Sequence, residues 1–127
     1  MTRRFQGIAL ASCLFLGACA TQPQYGAQDK AATQPLIKDY HTCLNQQAVA
    51  MVNGSDDVTL ITRVVLRNCN DRLQAIGNYL KGRGFDDPFI SRYLSNLHQQ
   101  AGDSVESFIL RVKSHNATPG RTSTAPL

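Results

Sequence analysis

The chain has 127 residues, with 13 Lys+Arg against 9 Asp+Glu, four cysteines and no tryptophan. That length accommodates one small domain and excludes two full cores, while 43% hydrophobic and 17% charged residues exclude a disordered chain. A formal charge of +4 would suit a polyanionic partner and four cysteines would suit a metal site, but both readings change once the N-terminal segment is set aside.

Arg3 and Arg4 precede an apolar run from Ile8 to Gly17. A run this short falls well below the roughly 20 residues that span a hydrocarbon core. A positive start, a short apolar middle and small residues at the end together read as a secretory signal. The segment closes on Leu16-Gly17-Ala18-Cys19, which resembles the lipobox of bacterial lipoproteins. The resemblance implies a signal peptide over 1–18 and a Cys19 that carries a thioether-linked diacylglycerol and an N-acyl chain such as palmitate. It implies no other cofactor. Cysteine suits that role because its thiolate is a strong nucleophile near neutral pH, and several acyl chains on one residue anchor stably where one chain is marginal. Ala20, standing where an Asp would favour the inner membrane, implies the outer membrane and its periplasmic face. A plain signal peptide cut near Ala18 or Ala20 would instead leave a soluble periplasmic protein.

Arg3 and Arg4 leave with that segment, so eleven basic residues face nine acidic ones in the mature chain. Nucleic-acid binding requires clustered Lys/Arg and a stronger bias, and no nucleic-acid partner is expected. Cys13 leaves as well.

Residues 19–34 are small and polar without an apolar period, and read as a lipidated flexible tether. A coil from Ala20 to Thr33 would reach about 20 Å. A helical domain is expected over 35–115. Thr33 and Pro35 suit the cap and first turn of its first helix. Leu36, Tyr40, Cys43, Leu44, Gln47, Ala48 and Met51 then recur at three- and four-residue steps. Asn53-Gly54 ends that helix, and Ser55, Asp56 and Asp57 cap the next. Its stripe is Val58, Ile61, Val65, Cys69, Leu73, Ile76 and Leu80, flanked by Leu60 and Val64, and Lys81 to Gly84 stop it. Asp86 or Asp87 caps a third helix with Pro88 at its start. Its stripe runs through Ile90, Tyr93, Leu94, Leu97, Ala101, Val105, Phe108, Ile109 and Val112. Gly102-Asp103-Ser104 either kinks this helix or divides it in two. Residues 116–127 are poor in core formers and read as a disordered tail. The fold class is therefore all-α: a small disulfide-stapled bundle of three helices, or four if the third divides.

Cys43 and Cys69 lie on the core stripes of consecutive helices, at equal distance from the turn near residue 56. An antiparallel hairpin would bring them face to face, and an oxidising compartment would join them. No Cys-x-x-Cys or His-x-x-x-His spacing occurs, and His41, His98 and His115 are scattered, so no metal partner is expected. Asp56-Asp57 and Asp86-Asp87 are accounted for by helix capping and the helix dipole. With no Gly-x-Ser-x-Gly, P-loop or spaced pair of carboxylates, catalysis is not expected. Tyr79, Phe85 and Phe89 gather near the second turn, either closing the core or forming a partner surface.

In size, lipobox, helicity and a single disulfide the chain is similar to pilotins, small helical outer-membrane lipoproteins that deliver secretins. From Tyr40 to Cys69 it also resembles small exported bacterial proteins of helical-hairpin type, a likeness that implies fold rather than activity. The expected role is a non-catalytic protein-binding or assembly module of the cell envelope, held to the membrane by its lipid. The alternative is a structural or stress-related envelope lipoprotein without a dedicated client.

Overall fold

A computed structural model describes residues 23–117, among which there are four helices and no strand. Cys13, the Leu16–Cys19 lipobox and residues 118–127 lie outside the described residues. The helices are α1 (Ala27–Met51), α2 (Val58–Asn68), α3 (Asn70–Gly82) and α4 (Asp87–Asn116). α2 and α3 follow one another as a single broken rod, antiparallel to α1, and α4 returns along both. The result is a three-rod bundle, and none of its helices is long and apolar enough to cross a membrane.

The apolar stripes become the core. Tyr40, Leu44 and Ala48 from α1 meet Ile61, Val65, Leu73, Ile76 and Leu80 from the broken rod and Ala101, Val105 and Ile109 from α4, all buried. Each Leu or Ile sealed in this way contributes about 1.5–3 kcal/mol against the entropy of ordering the chain. The expected caps form. Asp57 Oδ1 accepts the Leu60 amide at 2.9 Å, and Asp86 Oδ1 accepts the Phe89 amide at 2.8 Å ahead of Pro88. At the end of α3, Gly84 turns left-handed (φ 85°). The Phe85 amide reaches the Leu80 carbonyl and the Gly84 amide reaches Lys81, a Schellman closure that glycine permits without steric cost. Gly54 is used differently: its amide bonds the Met51 carbonyl, and an added Cβ would lie 3.2 Å from that oxygen. Glycine there eases a close approach, which a Cβ would meet only with a shift of a few tenths of an ångström, and serves no left-handed turn.

Four points correct or settle the sequence expectation. First, α1 begins at Ala27, so residues 27–34 belong to the helix and Pro35 sits inside it. Proline removes one backbone bond there, a cost that the buried contacts of Asp29 and Thr33 offset. Second, the continuous helix expected from Val58 to Leu80 breaks at Cys69, whose φ of −103° and ψ of 9° leave the helical region. Third, α4 runs unbroken through Gly102, whose α-carbon lies beside Leu66 of α2 with room for ordinary contact. The fourth helix thus arises from the break at Cys69, not from one at Gly102. Fourth, α4 extends to Asn116, the first residue expected to be tail.

Candidate functional site

Cys43 and Cys69 form the disulfide, with Sγ atoms 2.07 Å apart and Cα atoms 5.9 Å apart. Cys69 is fully buried and Cys43 half-buried, in keeping with a staple across α1 and the broken rod. Beside it, the Asn68 amide donates to Gln47 Oε1 at 3.0 Å.

Phe85 and Phe89 stack with centroids 4.7 Å apart, and Phe89 continues onto Tyr93. What covers them is Tyr25, whose ring lies 6.1 Å from both phenylalanines and 5.3 Å from Tyr93. Phe85 is only 7% exposed, so this cluster closes the end of the bundle and Phe85 offers no contact surface; Phe89 and Tyr79 are half-buried. The Tyr25 hydroxyl shares hydrogen bonds with Thr33 Oγ1 (2.8 Å) and the Tyr93 hydroxyl (2.9 Å), while Thr33 Oγ1 also donates to the Asp29 carbonyl. Burial, with the Tyr25 bond, pushes the Tyr93 phenol up to about 12.

Asp29 completes this end. Its carboxylate, 2% exposed as a residue, accepts Arg83 Nε at 2.9 Å, the Tyr79 hydroxyl at 3.3 Å and the Gly26 amide at 3.2 Å. The Arg83 guanidinium, followed by the Gly26 amide, holds its pKa below the ordinary carboxylate value, while desolvation pushes the Tyr79 phenol up. Residues 25–33 are thereby fixed to α3 and α4. Tyr25 and Asp29 were not singled out from the sequence, and Thr33 and Tyr93 were read only as a helix cap and a core-stripe position. The available signal was Tyr25, the one aromatic in an otherwise small, polar stretch.

The opposite end is open. An apolar groove of about 290 Å³ lies between the C-terminus of α1 and the start of α2, lined by Ala50, Met51, Gly54, Leu60, Ile61 and Val64. Leu60 is 47% exposed, and it and Val64 are the flanking residues that made the second stripe wider than one face needs. Val49 and Leu110 add exposed apolar surface in this half of the bundle. Lys113 of α4 closes the rim, donating to the Ser55 carbonyl at 2.7 Å and facing Asp56 at 3.5 Å.

His41, His98 and His115 are exposed and apart, and among the described residues no group of three His, Cys, Asp or Glu could hold a metal ion. Comparison with protein-family models, with curated proteins and with solved structures gives no match for this chain.

Proposed function

We propose that the protein is a lipid-anchored envelope lipoprotein, attached through Cys19 to the outer membrane, that binds a partner protein in the periplasm without catalysing a reaction. The Leu16–Cys19 box supports the anchor. The observation that carries the binding role is the polarity of the bundle. The end where the tether enters is sealed by Tyr25, whereas the far end keeps an apolar groove with Leu60 about half-exposed. A groove of this kind, rimmed by polar Ser55 and Asp56, suits an apolar anchor residue from a partner. In this reading the pilotin likeness extends to use: a client is held at the membrane by a small helical adaptor.

Affinity capture from detergent-solubilised envelope, comparing the parent chain with Leu60→Asp, tests the role. The expected result is one stoichiometric envelope protein retained by the parent and lost with Leu60→Asp. An identical set of bystanders with both chains refutes it. The anchor is tested separately, by comparing the mass of the membrane-extracted parent with that of Cys19→Ser; no lipid-sized difference overturns it.

A further inference from the structure

A second groove, of about 510 Å³, runs along the outer flank of α1, bounded by Tyr25, Lys30, Gln34, Ile37, Lys38 and His41. Steps of four, four and three residues place Lys30, Gln34, Lys38 and His41 in one line along the helix. No carboxylate lines it. Asp29 faces inward to Arg83, and Asp39 borders a different depression beside Cys43 and Arg72. Among the described residues neither lysine has an ion pair, so both cationic heads are available.

The position of this stripe matters because of where the chain comes from. Tyr25 is six positions after Cys19, a span of at most about 20 Å. Tyr25 is itself fixed to the aromatic cluster. With Cys19 in the membrane, the surface brought to the headgroups is therefore the tethered end or the flank beside it. We infer that this flank of α1 docks on anionic phospholipid, with Lys30, Lys38 and His41 against the headgroup phosphates and the helix lying along the surface. The inference rests on the lipid-anchor reading, and it leaves the groove at the far end facing away from the tether.

The chain has no tryptophan, so Gln34→Trp places a single reporter in the exposed groove. The lipidated full chain carrying it is reconstituted into phosphatidylcholine vesicles with or without phosphatidylglycerol, each doped with a headgroup-nitroxide lipid. The expected result is strong quenching with phosphatidylglycerol. It should be relieved by molar salt, where the screening length falls to about 3 Å, and by Lys30→Gln with Lys38→Gln. Quenching that is absent, or equal in the neutral vesicles, overturns the inference. Should the protein fail to co-float with vesicles at molar salt, the anchor reading is what fails. The stripe is then judged at low salt, where each lysine near an anionic surface is worth about fivefold in partition. The double substitution should weaken binding about 25-fold, and an unchanged partition overturns the proposal.

Discussion

Replacing both Cys43 and Cys69 with Ala removes the disulfide cross-link between α1 and the broken rod without leaving a buried hydroxyl or a free thiol. The bridge closes a loop with a sequence separation of 26. On the chain-entropy account such a loop restricts the unfolded ensemble by about 3.5 kcal/mol at 25 °C. For a domain of this size each kcal/mol shifts the melting temperature by about 4–8 °C, so a fall of about 15–25 °C is expected. Cys69 is fully buried, and the small cavity left by its sulfur adds to the loss. Circular dichroism followed through thermal unfolding, with and without reductant on the parent chain, is the assay. The reduced parent, which keeps both sulfurs, should melt far below the oxidised parent and above the double variant only by that cavity cost. Guanidinium titration adds a second readout, because an uncrosslinked denatured state exposes more surface and steepens the denaturant dependence. A melt lowered by less than about 5 °C would refute the reasoning, since it would mean that packing alone holds α1 against its neighbours.

Four further outcomes follow from individual groups. The Tyr40 hydroxyl is fully buried and has no partner among the described residues, so Tyr40→Phe should raise stability by about 1 kcal/mol; a lower melting temperature contradicts this. Thr33→Val removes a buried hydroxyl bonded to both Tyr25 and the Asp29 carbonyl, and should cost about 1–2 kcal/mol in denaturant titration. Tyr93 is held neutral up to about 12 against an ordinary value of 10. Its contribution to stability is therefore full below pH 10 and lost as pH rises toward about 12, and ultraviolet titration should show this phenol ionising late, in step with unfolding. Asp29 has the opposite sign: its lowered pKa gives stability that is full above the ordinary value of 3.8 and is lost as pH falls through the folded value. Asp29→Asn should flatten the acid limb of a stability profile, and an unaltered limb contradicts the assignment.

The apolar phase of the bundle was legible because periodicity is local: Tyr40, Leu44, Ile61, Val65, Ile76 and Ile109 are buried where their spacing placed them. The disulfide was legible for a related reason, since two positions equidistant from one turn must meet in an antiparallel hairpin. The break at Cys69 was not. The stripe from Val58 to Leu80 keeps its phase across it, but α2 closes with the Cys69 amide on the Val65 carbonyl and α3 restarts with the Arg72 amide on the Cys69 carbonyl, at the residue the bridge pins to α1. A one-dimensional pattern carries no record of that constraint. At Gly102, where the sequence left one helix or two open, a residue with poor helix propensity lies in an unbroken helix, because the apolar positions on either side of it stay anchored to the other rods.

The start of α1 misled for a different reason. Ala27 to Gln34 reads as tether because it contains no apolar stripe, yet its partners lie far along the chain: Tyr79 and Arg83 are 50 and 54 residues from Asp29, and Tyr93 is 68 from Tyr25. Polar burial of this kind gives no periodic signal and emerges only when the fold brings the ends together. The same contacts reassign the aromatic residues near the second turn. Phe85 and Phe89, read from the sequence as either core closure or partner surface, are used to hold Tyr25, so the binding surfaces proposed above are the far groove and the flank of α1. That shift has a mechanical consequence under the proposed lipidation. The segment from Cys19 to the fixed part of the domain then ends at Tyr25, not at Gln34, and the longest distance it can span falls from about 50 Å to about 20 Å. A domain held that close cannot tumble freely above the membrane. Which face it turns to the lipid then decides which groove a periplasmic partner can enter.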